Sequence, residues 1–169
     1  MRVGIGYDVH RLVAGKPLIL GGVTVPYHLG LDGHSDADVL AHAVMDALLG
    51  AAAAGDIGEH FPATDPRYRG ISSLLLLRHV TDYLVDRGWS VGNVDAVIIA
   101  EAPKLARYRD EMRRNLAREM RVAADRVGVK ATTTEGLGFA GRGEGIAAQA
   151  IAFVYTLEKH TPGYIYGRD

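Results

Sequence analysis

The sequence predicts an α+β fold, a single-domain sandwich over residues 1–169 in which one mixed β-sheet is covered by helices. Three observations predict it. Strand-like segments stand at both ends of the chain and in its middle, and three segments between them carry helical apolar periodicity. No linker, repeat or low-complexity tract divides the chain.

At the N-terminus, Arg2 to His10 sets Val3, Ile5, Tyr7 and Val9 at period two, which reads as a strand ending in the polar pair Asp8 and His10. Leu18-Ile19-Leu20 and Val23-Thr24-Val25, separated by Gly21-Gly22, read as a tight hairpin. Ser35 through Leu49 predicts a helix with Ser35 as its cap, Asp38 in its first turn, and Leu40, Val44, Ala47 and Leu48 on its apolar face. Ser73 to Asp86 predicts a second amphipathic helix closed by Gly88. Leu105 to Met120 predicts a third, with Arg and Glu paired at helical spacings. Val91 to Ala100 reads as a strand between them. Val127 to Thr134 and Ile146 to Leu157 read as two more, joined by a glycine-rich turn from Gly136 to Gly145. The last strand carries few charges on either face, so one side is expected to be covered by another copy of the chain.

A length of 169 residues lets a single domain bury roughly two thirds of the surface of its unfolded chain. With no cysteine, neither a disulfide framework nor a thiolate zinc site is available, and a metal would need histidine and carboxylate ligands. A formal net charge of −1 argues against nucleic acid as a partner. The N-terminal residues lack the pattern of a secretory signal, and no apolar run approaches the roughly 20 residues of a bilayer span, so a soluble cytoplasmic protein without membrane contact is expected.

Several segments carry candidate chemistry. Asp8 and His10, two apart on a strand, project from one face, and a helix packed alongside would bring His42 to them. Two imidazoles and one carboxylate leave a coordination position open, as catalytic zinc sites do, although an Asp-x-His pair by itself more often fills a capping or surface role. Asp46, one turn beyond His42, would orient that imidazole or face solvent. Gly33-His34-Ser35-Asp36 opens the helix where backbone N–H groups attract phosphate, or forms a plain N-cap. Thr132-Thr133-Thr134-Glu135 offers hydroxyls to phosphate and a carboxylate to a hard cation such as Mg²⁺, and also fits a local capping box. Arg142, set between glycines, would reach phosphate or pair with Glu144. Asp56-Ile57-Gly58 and Phe61 to Asp65 form a helix-poor stretch suited to a binding loop or an ordinary connection.

Taken together, Gly6, Asp8 and His10, the run Gly33 to Asp38 leading to His42, Asp56-Ile57-Gly58, Phe61-Pro62, and Lys130 through Gly145 resemble the 2-C-methyl-D-erythritol 2,4-cyclodiphosphate synthase family over essentially the whole chain. The resemblance implies a metal-dependent lyase of the non-mevalonate isoprenoid pathway, which cyclises 4-diphosphocytidyl-2-C-methyl-D-erythritol 2-phosphate and expels CMP. It implies a homotrimer with sheets facing the threefold axis, active sites between subunits, and a possible prenyl diphosphate in the axis. Zn²⁺ or another divalent cation would sit on Asp8, His10 and His42. Mg²⁺ or Mn²⁺ bridging the substrate diphosphate would meet Glu135. His34 and Thr133 would be catalytic. Asp8, His10, His34 and Ser35 would also contact the substrate, Ser35 at the helix start, and Asp56, Ile57, Gly58, Phe61, Pro62, Ala63, Thr64 and Asp65 would hold its methylerythritol phosphate part. Ala100, Glu101, Ala102, Pro103, Lys104, Leu105, Ala106, Thr132, Thr133, Thr134 and Glu135 of the neighbouring subunit would hold the cytidine diphosphate portion, with Phe139 and Arg142 closing that side. Ala63, Glu101 and Arg107 depart from the family pattern, where aspartate, glutamine and proline are common. A phosphodiesterase using the same metal site and a non-catalytic trimeric binding protein are the competing readings.

Overall fold

The first strand, β1 (Arg2–Ala14), is laid down beside the last, and the computed structural model, which describes residues 1–156, builds a five-stranded sheet outward from that pair. The chain continues through β2 (Leu18–Leu20), β3 (Val23–Val25), β4 (Leu29–Leu31), α1 (Val39–Ala52), α2 (Ile57–His60), α3 (Ser73–Asp86), β5 (Trp89–Ile99), α4 (Arg109–Glu119), β6 (Val127–Thr132), α5 (Gly138–Gly141) and β7 (Gly145–Thr156). Strand order is β4-β1-β7-β5-β6, antiparallel except for the β5–β6 pair, which α4 connects as a parallel crossover. The sheet is therefore mixed and helix-covered, as the sequence predicts. The expected domain and final strand run on past 156, where they lie outside the described residues.

Residues alternate across β1. Val3, Ile5, Tyr7 and Val9 are exposed on one face, while Gly4, Gly6, Asp8 and His10 turn toward α1 on the other. The two glycines bring helix and strand backbones together. A Cβ at Gly4 would stand 2.1 Å from the Ala47 carbonyl oxygen, and one at Gly6 would stand 2.0 Å from that of Ala43. Between Val39 and Leu49 every residue of α1 except Asp46 is buried, because the helix is enclosed by the sheet on one side and α3 on the other. Leu40, Met45, Leu48, Leu77, Leu84, Ile98, Met112 and Leu116 complete a core with essentially no solvent exposure.

Several predicted boundaries move, for identifiable reasons. The strand does not end at Asp8 and His10, because pairing with β4, absent from the predicted elements, carries it to Ala14. The first helix begins at Val39 and is capped by Asp38, not Ser35. Asp38 is fully buried and its carboxylate accepts from the N–H groups of Leu40 and Ala41 and from those of Gly21 and Gly22 in the hairpin turn, at 2.7–3.2 Å. A carboxylate serving two elements at once outcompetes a serine hydroxyl for the cap. Both turn glycines have positive φ, 55° and 70°, as a two-residue hairpin with a primed turn requires. The third helix starts later than predicted, at Arg109, after a single 3₁₀ turn over Ala106–Tyr108. β5 spans Trp89–Ile99, and β6 stops at Thr132 where the chain leaves the sheet edge.

The close strand–helix approach separates two glycines sharply. Gly6→Ala is expected to destabilise the fold by about 1–3 kcal/mol through overpacking against the α1 backbone. Gly50→Ala, in α1 with its nearest neighbour 3.8 Å from the added carbon, is expected to stabilise it by about 0.4–1 kcal/mol. Urea midpoints of the two variants that shift in the same direction would contradict this packing.

Candidate functional site

Asp8 and His10 leave β1 on the α1 face directly beyond Gly6, and α1 delivers His42 from its first turn. Asp8 Oδ2 lies 3.0 Å from His10 Nε2 and 2.9 Å from His42 Nδ1, and the two ring nitrogens are 3.1 Å apart. Three ligand-type atoms thus form a near-equilateral triangle. A tetrahedral ion with bonds of about 2.0–2.1 Å separates its ligands by roughly 3.3 Å, so this triangle needs little opening to hold one.

Hydrogen bonds behind His10 make the case chemically. Its Nδ1 lies 2.6 Å from the Asp32 carbonyl oxygen, which can only accept, so the proton is on Nδ1 and neutral His10 turns a bare Nε2 toward Asp8. Gly33 permits this approach, since a Cβ there would stand 2.9 Å from the His10 ring. Burial alone would raise the Asp8 carboxyl. The hydrogen bonds and charges of His10 and His42 outweigh it and hold that group well below the usual carboxylate range. Burial likewise opposes charge on His10, but the Asp8 carboxylate prevails and raises its pKa: in the charged ring the Nε2 proton is donated to Asp8 and stands where a cation would. In the neutral ring the electron pairs of Nε2 and of Asp8 face one another and call for a cation between them. Two imidazoles favour a first-row transition ion or zinc over Mg²⁺.

A cavity of about 290 Å³ opens over the triangle. His34 and Ser35 line it from the loop before α1, Ile57 and Gly58 from α2, and Phe61 and Ala63 from the segment that follows. Met45, Tyr68 and Leu76 also line it and were not singled out from the sequence, where each reads as an ordinary apolar position. Asp56 caps α2 through the Glu59 N–H, and the Asp65 carboxylate is engaged by Arg67. The Asp65 carbonyl instead accepts from His34 Nε2 at 3.3 Å. Pro62 and Thr64 belong to the same loop without lining the cavity.

Three expectations here need correction. The N–H groups at the start of α1 are taken by Asp38, so the His34–Ser35 segment does not present a free helix N-terminus; it brings side chains to the cavity instead. Asp46 does not orient His42, because its carboxylate accepts from the Ile57 N–H at 2.9 Å and secures α2. The stretch after Asp56 is not helix-poor, since it contains α2 and a 3₁₀ turn over Pro66–Tyr68.

A second cavity of about 300 Å³ lies at the C-terminal ends of β5 and β6, lined by Ala100, Glu101, Pro103, Lys104, Leu105, Ala106, Arg109, Ala131, Thr132 and Thr133. It shares no residue with the first. Ala102, Thr134 and Glu135 adjoin it in sequence. No helix starts at Thr132, so the capping-box reading fails; Glu135 takes a left-handed φ of 52° and accepts from Thr133 Oγ1. Glu101 organises this turn by accepting from the Thr134 N–H, the Gly136 N–H and Thr134 Oγ1, all at 2.8–3.2 Å. Arg142 pairs with Glu144, and Phe139 lies in α5 beside the start of β7. Among the described residues, Glu135 belongs to no cluster able to share an ion.

The sequence profile of the YgbB family matches residues 1–155. The chain belongs to the YgbB family. A relative from Desulforamulus reducens named 2-C-methyl-D-erythritol 2,4-cyclodiphosphate synthase is 65% identical over 151 residues, covering 89% of this chain and 96% of its own. One of the same name from Pelotomaculum thermopropionicum is 62% identical over 155 residues, covering 92% and 96%. Among solved structures, a 2C-methyl-D-erythritol-2,4-cyclodiphosphate synthase in its CDP-bound form matches 91% of this chain and 100% of its own, at 39% identity with a TM-score of 0.83. The bifunctional IspDF of Campylobacter jejuni matches 92% of this chain at 41% identity and a TM-score of 0.89, while this YgbB chain spans 42% of its length.

Hydrogen bonds led by the Thr134 N–H, then that of Gly136, hold the Glu101 carboxyl below the ordinary glutamate value near 4.5. Its grip on the turn is therefore complete above that value and is lost as pH falls through the depressed one. The amide resonances of Thr134 and Gly136 are expected to titrate with a midpoint below 4.5. A midpoint at or above it would contradict the contact.

Proposed function

We propose that the chain converts 4-diphosphocytidyl-2-C-methyl-D-erythritol 2-phosphate into 2-C-methyl-D-erythritol 2,4-cyclodiphosphate and CMP. The observation that carries this reading is the convergence of Asp8, His10 and His42 beneath a cavity also lined by His34 and Ser35. In the reaction an oxygen of the 2-phosphate forms a bond to the β-phosphorus. The bond from that phosphorus to the bridging oxygen breaks, and CMP departs with that oxygen. Water contributes no atom. The protein need supply no nucleophile, only position and charge neutralisation.

The residues divide accordingly. A divalent cation, zinc in our reading, held by Asp8, His10 and His42 would supply positive charge beside the reacting phosphate oxygens. Ser35 offers its hydroxyl to the same oxygens, and His34, whose Nε2–H is held by the Asp65 carbonyl, donates from Nδ1 as the imidazolium. Ile57, Gly58 and the Phe61–Asp65 loop wall in the methylerythritol part. The second cavity is suited to the cytidine diphosphate portion, where Lys104 offers charge and Thr132 and Thr133 offer hydroxyls; Phe139 and Arg142, outside that lining, would close the side. Glu135 would contact a second cation, Mg²⁺ or Mn²⁺, carried in on the diphosphate.

The two cavities have no lining residue in common, which supports a site completed by two copies of the chain. Val3, Ile5, Tyr7, Val9 and Ile151 are 43–67% exposed on the helix-free face of the sheet. An apolar face of this kind supports a homotrimer with sheets turned to a threefold axis.

A chelator is expected to abolish CMP release, and added Zn²⁺ with Mg²⁺ to restore it; Asp8→Ala should not be restored. His34→Ala should lower turnover by about 100-fold or more. Phosphorus NMR should show a coupled pair of diphosphate signals, with no oxygen incorporated from labelled water. A linear product carrying solvent oxygen would overturn the cyclisation. In sedimentation the protein should have the mass of three chains and Ile5→Glu should shift it toward one; a monomeric parent would refute the assembly.

A further inference from the structure

We propose that Asp36 and Ser73 form a positioning pair that fixes the tautomer of His42 and so presents its Nδ1 bare to the ion. The inference rests on the metal-binding reading given above and extends it to residues outside the three ligands.

The argument is a count of protons. Asp36 Oδ2 accepts from the Ser73 backbone N–H at 3.0 Å, and Asp36 Oδ1 accepts from the Ser73 hydroxyl. A hydroxyl has one proton, and this one is committed to a carboxylate. Ser73 Oγ therefore has only electron pairs to offer His42 Nε2, which lies 2.9 Å away, so the ring must be the donor. A neutral imidazole carries one N–H. With that proton on Nε2, Nδ1 is bare, and Nδ1 is the atom 2.9 Å from Asp8 and 3.1 Å from His10.

Ser35 does not upset the count. Its Oγ lies 3.1 Å from the same Nε2, accepts from the Ala37 N–H and stands 3.3 Å from Ser73 Oγ; with its own proton turned to Ser73 or into the cavity, it accepts from the ring as Ser73 does. The surroundings leave no slack for reversal. Ser73 is wholly buried at the first turn of α3, His42 is 7% exposed, and the Asp36 N–H is held by the Ile71 carbonyl. Were the Ser73 hydroxyl uncommitted, it could donate to Nε2, and the ring proton would move to Nδ1, where it blocks the ion. His10 has the same requirement and meets it with the backbone carbonyl of Asp32, which no side-chain substitution removes. The Asp36–Ser73 pair is the half of the device that can be altered.

The test uses the full chain, loaded with zinc and then titrated with a chromophoric zinc chelator, for the parent, Ser73→Ala and Asp36→Asn. Loss of an outer hydrogen-bond partner typically weakens metal binding by about 10–100-fold, and both variants are expected to show that loss. Long-range ¹H–¹⁵N spectra of the metal-stripped protein at mildly alkaline pH should show His42 protonated at Nε2 in the parent and mixed in the variants. Ser73→Ala keeps the backbone N–H that Asp36 caps, and Asp36→Asn carries the test if that variant does not fold. Parent-like zinc affinity with a parent-like tautomer would overturn the pairing. A parent protein that binds no zinc would instead refute the metal-binding reading, and the nitrogen spectra would still decide the tautomer.

Discussion

The rest of the structure depends on the contact between the backbones of β1 and α1. Gly4 lies against Ala47 and Ala51, Gly6 against Ala43 and Ala47, and the next inward position along the strand is Asp8. Two strand residues advance about as far as four helix residues, roughly 6 Å in each case. The helix residue facing Asp8 must then lie about one turn before Ala43 and Ala47, which is the neighbourhood of His42. Small residues along both elements thus set the spacing of Asp8, His10 and His42. A side chain at either glycine would lift α1 and open the triangle before any ligand changed.

Electrostatics then decides what such a triangle can hold. A carboxylate with two imidazoles normally settles as an ion pair, with the protons shared along the contacts. Here the rear nitrogen of each ring is occupied by a fixed hydrogen-bond partner, so in the neutral rings the atoms facing inward are acceptors. That arrangement is unfavourable for the empty protein and favourable for one with a cation in place. The site therefore stores its specificity in the neighbours of the ligands, and Asp32, Gly33, Asp36 and Ser73 belong to it as much as the residues that would touch the ion.

Much of this was legible in the sequence. Period-two alternation predicts β1, a long apolar run with few charges predicts β7, the Gly21-Gly22 pair predicts the hairpin, and the Asp8–His10 spacing puts two candidate ligands on one face. What escaped reading was decided by partners distant in the chain. Asp38 looks like any acidic first-turn residue until Gly21 and Gly22 arrive at its carboxylate, and β4 is too short to show a period. Ser73 looks like a helix-start serine, and Asp46 looks well placed for His42 until α2 takes its oxygen. Gly4 and Gly6 on the strand, with Ala43, Ala47 and Ala51 at four-residue steps on the helix, carry the signal of a close strand–helix contact in their spacing alone.

The same alternation that points Asp8 and His10 inward points Val3, Ile5, Tyr7 and Val9 outward, so one strand serves two surfaces. On the proposed reading this links assembly to chemistry. A register slip of one residue would bury the outward apolar row and expel both ligands to solvent, so the strand cannot satisfy one surface without satisfying the other. The cavity over the ion and the cavity at the ends of β5 and β6 are then brought together by packing the outward row, and substrate length, not a flexible loop, measures whether the neighbouring chain is in place. On that same proposal, oligomer formation is a condition of the reaction, because phosphate and nucleoside would be gripped from two chains while the attacking and leaving oxygens are held in line.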